Sequence, residues 1–208
     1  MVGKKRSEFL GQREKDPLAY YASSDHDGVA PFEDPKDRLD KSVREASIFQ
    51  EFCASFKTYF GSEILAREAG EDPPDFYGVI DGQRYSIELT ELIDSEFRKQ
   101  QKQAFKQGLR LDLNTSYGVT RPFWNEALFR ASIMTRLETK SRRYMRPTNA
   151  LKNLDVLVIH CHDHFLEANS VRRWLERVAF GLPPNISRAF ILLDYHTETK
   201  DYPLFELG

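Results

Sequence analysis

The chain has 208 residues, of which 40% are hydrophobic and 30% charged, a composition typical of a globular domain. This length predicts one domain with a core large enough to fold alone. The sequence contains no apolar run of about 18 residues, so a transmembrane helix is not predicted. A net charge of −2 argues against wholesale non-specific binding to nucleic acid, although it leaves room for a local basic surface.

The cysteine content and the N-terminus predict where the protein works. Cys53 and Cys161 are the two cysteines, too few for a disulfide scaffold or a four-cysteine zinc site, and they favour a reduced, cytoplasmic location. Lys4-Lys5-Arg6 is not followed by an apolar stretch, so a secretory signal is not predicted. Residues 1–40 are polar and rich in proline and acidic residues, which indicates a partly ordered arm. Residues 41–208 are predicted to form a single α/β domain.

The first predicted helix begins at Ser42 and ends at Gly61. Ser42 and Glu45 have the spacing of a capping box, and glycine commonly follows the last helical turn. The apolar stripe between them is Ile48, Phe49, Phe52, Phe56, Tyr59 and Phe60. A weaker strand prediction covers residues 63–69, where alanine and glutamate lower the β propensity.

A β-hairpin is predicted next. Asp81-Gly82 is the strongest short signal for a type I′ turn, because both central residues of that turn need positive φ. After the turn, Tyr85, Ile87 and Leu89 alternate with polar residues, as in a strand with two different faces. A two-residue turn pairs Ile80 with Gln83 and Phe76 with Ile87, and it places Asp75 directly opposite Glu88.

Two opposed carboxylates require an explanation. Directly opposed side chains lie about 5 Å apart at Cβ, and like charges there destabilise a sheet. A hard divalent cation is the commonest reason for such a pair, since Mg²⁺ is held by one or two carboxylates with water and substrate phosphates. Two surface carboxylates on a solvated hairpin are the alternative interpretation. The register therefore predicts a metal site at Asp75 and Glu88 on one face and an apolar core on the other.

Pro74-Asp75 on one strand and Glu88-Leu89-Thr90 on the next resemble the core motif of the PD-(D/E)XK nuclease superfamily, which has Pro-Asp followed by Asp/Glu-x-Lys. The element order from Val43 to Leu207 is similar to the αβββαβ core of that superfamily. The resemblance implies a metal-dependent nuclease that uses Mg²⁺ or Mn²⁺, with Asp75 and Glu88 as metal ligands. Thr90 occupies the position of the usual catalytic lysine, so activity would require another cation.

The resemblance also suggests where further catalytic groups lie. Such nucleases often carry an acidic residue on the first helix, for which Glu45 is the first candidate and Glu51 the second. The active lysine can migrate to a neighbouring helix, and by position Lys140 is favoured over Lys99. The alternative interpretations are a capping or solvated glutamate and an ordinary surface lysine.

Two basic helices are predicted after the hairpin, one from Asp94 or Ser95 to Arg110 and one from about Trp124 to Tyr144. A phosphate-facing role and a solvated surface are equally favoured for the first of them. The predicted nucleic-acid-binding residues on the two helices are Arg98, Lys99, Lys102, Lys106, Arg136 and Arg143.

The C-terminal half alternates strands and helices. Residues 154–161 are almost continuously apolar, which predicts a central strand covered on both faces. An amphipathic helix is predicted for residues 168–180, a buried strand for 188–195 and an edge strand for 202–207. His160, His162 and His164 could converge only if the strand continued past residue 161, so a zinc site is not favoured there.

This order predicts an α/β, three-layer sandwich with a central mixed β-sheet, containing a restriction-endonuclease-like αβββαβ core with extra helices and C-terminal strands. The favoured hypothesis is a nuclease that hydrolyses phosphodiester bonds, with DNA favoured over RNA. A catalytically inactive nuclease-fold protein that binds nucleic acid or protein is the alternative, supported by Thr90. A third hypothesis is an interaction protein that uses the acidic arm. Both a monomer and a homodimer are compatible with the sequence.

Overall fold

A computed structural model describes residues 38–70, 73–92, 124–161, 166–177, 179–196 and 199–208, with side chains described from Ser42 onward. The helices are α1 (Arg38–Phe60), α2 (Glu126–Tyr144) and α3 (Ala168–Leu175). The strands are β1 (Leu65–Ala69), β2 (Phe76–Ile80), β3 (Gln83–Glu91), β4 (Leu154–Cys161), β5 (Ile186–Leu193) and β6 (Leu204–Leu207). The predicted helix that ends at Arg110 lies outside the described residues, as does most of the predicted arm.

The six strands form one mixed sheet in the order β1-β2-β3-β4-β5-β6. The first two pairings are antiparallel, β3 runs parallel to β4 and β4 parallel to β5, and β6 returns antiparallel as an edge strand. The predicted α/β class with a mixed sheet is therefore confirmed. None of the helices in the described segments is long and apolar enough to cross a membrane.

The hairpin has the predicted register. Ile80 pairs with Gln83 and Phe76 with Ile87. The turn residues Asp81 and Gly82 have φ values of +50° and +81°, as a type I′ turn requires. Asp75 directly precedes β2, so this register places it beside Glu88 of β3.

The sheet is covered on both faces, because successive strand residues point to opposite sides. Val156 and Val158 of β4 belong to a core that includes Phe49 and Phe52 of α1. Leu157 of the same strand belongs to a second core with α2 and α3. Glu88 lies in register with Leu157, and it therefore faces α2.

Several predicted boundaries were wrong. The helix α1 begins at Arg38, so Ser42 lies within it and the predicted capping box does not exist. The sequence contains no helix-breaking residue between Arg38 and Ser42, so the helix can begin four residues earlier. The helix α3 ends at Leu175 instead of residue 180, and Phe180 belongs to the core although it is not helical.

The observed strand boundaries differ less from the predicted ones. The strand β5 begins and ends two residues earlier than predicted, at Ile186 and Leu193. The edge strand β6 begins at Leu204 instead of residue 202. The strand β4 has the predicted bounds, since its apolar run is bounded by polar residues at both ends.

Candidate active site

Glu88 is the centre of a polar cluster on the face of the sheet that α2 covers. Its side chain has no exposure to solvent. Lys140 Nζ donates to Oε1 at 2.5 Å, Arg143 donates to the same oxygen at 3.2 Å, and the Tyr144 hydroxyl donates to Oε2 at 2.9 Å. A buried charge is tolerated only when it is paired and hydrogen-bonded. The three donors from α2 therefore allow Glu88 to remain a buried carboxylate.

Lys140 contacts two oxygens of β3. Besides Glu88, its Nζ donates to the main-chain carbonyl of Leu89 at 2.9 Å. The lysine side chain is only 14% exposed. Lys140 and Tyr144 are one turn apart on α2, so both point toward the same strand. The structure thus brings the sequence-predicted Lys140 to one of the two predicted carboxylates.

Asp75 is held at the start of the hairpin by its own main chain and by β3. Its Oδ2 accepts the main-chain N–H of Leu89 at 2.7 Å, and its carbonyl accepts the N–H of Gly70 at 2.8 Å. Gly70 is required here, because a Cβ at this position would lie 1.9 Å from the carbonyl oxygen of Pro74. The close approach of these two segments sets the position of Asp75.

The surroundings of Asp75 raise the pKa of its carboxyl group to about 7, chiefly through burial and then through the negative charges of Glu88 and Glu45. The Leu89 N–H and the charge of Lys140 oppose this rise. Asp75, Glu88, Glu45 and Lys140 therefore interact electrostatically as one group. With a pKa of about 7, the Asp75 carboxyl group is partly protonated at neutral pH.

Tyr144 stays protonated and acts as a fixed donor. Burial raises its pKa above the ordinary value, and the adjacent Glu88 carboxylate raises it further. The sequence analysis named Tyr144 only as the last residue of the second basic helix. The available signal was its spacing of four residues from Lys140, which places both side chains on one side of α2.

A second interaction that the sequence did not predict, between Ser86 and Asp155, stabilises β3 beside Glu88. Ser86 donates to Asp155 Oδ2 through both its main-chain N–H and its hydroxyl, each at 2.8 Å. The main-chain N–H of Asp155 donates back to the Ser86 hydroxyl at 3.1 Å. These bonds tie β3 to β4 two residues before Glu88. Nothing in the sequence identifies Asp155 as a partner of Ser86, because strand pairing across a long connection is not a local property.

The remaining predicted residues have different positions. Thr90 is half-buried on β3, two residues after Glu88 and on the same face. Arg136 is half-buried on α2, one turn before Lys140. Glu51 is buried and accepts a hydrogen bond from Ser47 of its own helix at 3.2 Å. The predicted residues that lie outside the described part of the chain are Arg98, Lys99, Lys102 and Lys106.

The donor atoms at the site are of the kind that hard divalent cations bind. Glu88 Oε1 and the Leu89 carbonyl face the same ammonium group, and Asp75 binds the N–H of Leu89 through one carboxylate oxygen. Carboxylate and carbonyl oxygens are the ligands of Mg²⁺. No cluster of three or more His, Cys, Asp or Glu side chains suited to a metal ion occurs within the described residues. The set comprises two carboxylates and one carbonyl, and the metal remains a prediction.

Comparisons with known proteins provide no relative. Family models, curated proteins and solved structures were compared with the chain, and none of them gave a significant match. The chemistry of the site must therefore be inferred from its geometry.

Proposed function

We propose that this protein is a divalent-metal-dependent hydrolase of phosphodiester bonds in nucleic acid, with DNA favoured as the substrate. The observation that carries the proposal is the position of Lys140. Its ammonium group contacts Glu88 and is close enough to Asp75 to lower the pKa of that carboxyl. An aspartate, a glutamate and a lysine are thereby grouped at the hairpin, although Thr90 occupies the usual lysine position.

Each residue has a role in this proposal. Asp75, Glu88 and the Leu89 carbonyl would hold a Mg²⁺ or Mn²⁺ ion, which when bound acts as a Lewis acid toward a phosphoryl oxygen and lowers the pKa of water. Lys140 provides positive charge for the anion that develops on the phosphate group. Tyr144 holds the Glu88 carboxylate in a fixed orientation through Oε2.

The surface of α2 offers further cations for the nucleic-acid backbone. Arg143 contacts Glu88 while 38% of its side chain remains exposed. Arg136 lies about one helical turn before Lys140, on the same helix. Basic side chains that approach phosphates release counterions, and this makes binding depend on salt concentration. Together these residues support nucleic acid as the partner.

A cleavage screen tests the proposal. Plasmid DNA, single-stranded DNA and RNA are incubated with the protein and Mg²⁺ or Mn²⁺, beside a reaction with EDTA. We expect cleavage that requires the metal and is lost in Asp75→Asn, whereas Asp81→Asn, an equivalent change in the exposed turn, retains it. Absence of cleavage of all three substrates, or equal cleavage by Asp75→Asn, would contradict the proposal.

One observation favours a second candidate, an inactive nuclease-fold protein that binds nucleic acid. Glu88 is fully buried and has three hydrogen-bond donors, as in a structural ion-pair network. Such a protein would show salt-dependent affinity without turnover. Binding of labelled DNA measured in the same preparations, at several salt concentrations and with no cleavage in Mn²⁺, would favour this candidate.

A further inference from the structure

We propose that Lys140 is a resident cation of the site, and that a divalent metal ion binds fully only when the lysine ammonium leaves Glu88. This inference rests on the proposed function, since it concerns the metal ion which that function requires. It assigns to Lys140 a control of metal affinity in addition to its proposed role in turnover. The ammonium group and the metal ion would compete for the same oxygens.

The contacts of Lys140 show this competition directly. Its Nζ lies 2.5 Å from Glu88 Oε1 and 2.9 Å from the Leu89 carbonyl oxygen. These are two of the three oxygen donors expected for the metal. A Mg²⁺ ion binds oxygen at about 2.0–2.1 Å, so an ion on Glu88 Oε1 would lie within about 5 Å of Nζ. Two positive charges at that separation repel strongly where water is largely excluded.

The charge balance of the cluster also favours departure of the Lys140 ammonium group when a metal ion binds. Three acidic groups, Asp75, Glu88 and Glu45, interact in the cluster with the Lys140 ammonium group, and Arg143 adds a second positive group on Glu88 Oε1. A divalent ion added to this set would give an excess of positive charge. Departure of the Lys140 ammonium lowers that excess, and Arg143 is already partly in solvent.

The two oxygens of Glu88 have separate partners, which allows the exchange. Lys140 and Arg143 bind Oε1, whereas the Tyr144 hydroxyl binds Oε2. Movement of Lys140 would therefore leave the carboxylate oriented by Tyr144, with Oε1 available to the metal. The lysine ammonium is carried on a flexible four-carbon stem and can move without a change in the main chain.

Calorimetric titration with Mn²⁺ tests the inference by affinity. The metal-free wild type is compared with Lys140→Met, Lys140→Gln and the control Lys57→Met, which changes an exposed lysine on α1. We expect Lys140→Met and Lys140→Gln to bind Mn²⁺ at least about tenfold more tightly than wild type, and Lys57→Met to bind as wild type does. The same Lys140 variants should cleave nucleic acid more slowly, so affinity and turnover change in opposite directions.

The results separate this inference from the proposed function. Wild-type binding of Mn²⁺ with equal or weaker binding by both Lys140 variants would overturn the inference and leave the proposed function in place. No binding by any of the four proteins would overturn both.

A measurement on the wild type avoids dependence on variants. Amine-selective labelling read by mass spectrometry should modify Lys140 more slowly than Lys57 in metal-free protein, because Lys140 is 14% exposed and Lys57 is 61% exposed. Saturating Mn²⁺ should accelerate labelling of Lys140 and leave Lys57 unchanged. Unchanged labelling of Lys140 under conditions where calorimetry shows binding would contradict the exchange.

Discussion

Glu88 is both charged and fully buried, and glutamate is almost never fully buried unless it is paired. Its partners Lys140, Arg143 and Tyr144 all come from α2. Removing one member of a buried ion pair costs more than the pair itself contributes, because the other member keeps an uncompensated charge. The stability of the domain should therefore depend on this carboxylate.

We expect Glu88→Gln to lower the free energy of unfolding by about 2–4 kcal/mol, somewhat below the range for a fully buried pair because Arg143 is partly solvated. Urea denaturation measures the change. Glu68→Gln is the matched control, since Glu68 forms an exposed ion pair with Arg84 and such pairs contribute about 0–1 kcal/mol. Equal effects of the two substitutions would contradict the role of Glu88 in stability.

Asp75 predicts a pH dependence of the metal-free protein. An acid with a raised pKa binds its proton more tightly in the folded state, so the free energy of unfolding falls as pH rises from its ordinary pKa of 3.8 toward about 7. Asp75→Asn should remove this fall, which cannot exceed about 1.4 kcal/mol per pH unit for one proton. Urea denaturation at pH 5 and pH 8 tests this, with Asp81→Asn as control. A pH profile in Asp75→Asn equal to that of wild type would refute it.

The sequence predicted part of this site through local register. The hairpin turn determines which residues are opposed, so the proximity of Asp75 and Glu88 could be predicted from the chain alone. The cations that compensate the charges of these two carboxylates could not be predicted from the chain alone. Lys140 is 52 residues from Glu88 in the sequence, and helical spacing predicts only which side of α2 it occupies. The two carboxylates were expected to need a metal ion, whereas the protein itself supplies cations.

At the scale of elements, the segment before β2 determines the position of Asp75. Gly70 donates its N–H to the Asp75 carbonyl, and the two segments approach so closely that a Cβ on Gly70 would overlap the backbone of Pro74. A backbone carbonyl cannot move aside as a flexible side chain can. The approach is therefore possible only with glycine.

We expect Gly70→Ala to lower the free energy of unfolding by about 1–3 kcal/mol or more, as overpacking does, and to abolish any stabilisation by added Mn²⁺ because Asp75 is displaced. Thermal melting with and without Mn²⁺ measures both effects. Gly181→Ala is the control, since a Cβ there has no neighbour within 4 Å. A Gly70→Ala protein with wild-type stability and metal response would disprove this account of the segment.

Elements with strong local signals were predicted well. The Asp81-Gly82 turn determines the hairpin register, and the apolar run of residues 154–161 determines β4. Helix ends were predicted poorly. The capping signals did not reveal that α1 begins at Arg38 or that α3 ends at Leu175.

At the scale of the molecule, the proposal requires a local basic surface on α2 despite the net charge of −2. Arg136, Lys140 and Arg143 follow one another along α2, and the last two contact Glu88 of the hairpin. Reversal of a charge that neutralises a phosphate should weaken binding to all sequences. It should also lower the slope of log affinity against log salt by about 0.9 for each phosphate that is no longer neutralised.

We therefore expect Arg136→Glu to weaken binding to duplex DNA and to flatten its salt dependence, measured by fluorescence anisotropy in metal-free buffer. Arg130→Glu is the control, since Arg130 is exposed on the same helix but about 15 Å along its axis from Lys140. Unchanged slopes in Arg136→Glu would exclude this part of α2 from the nucleic-acid interface.

The most direct test of the central claim is single-turnover cleavage at saturating Mn²⁺ by wild type, Lys140→Met and Lys57→Met. A cation that stabilises developing negative charge typically contributes a factor of about 10² or more in rate. We predict that Lys140→Met cleaves about 10²-fold more slowly than wild type while remaining folded, and that Lys57→Met cleaves at the wild-type rate. Wild-type cleavage by a folded Lys140→Met protein would contradict the claim that Lys140 is the cation that the proposed cleavage requires.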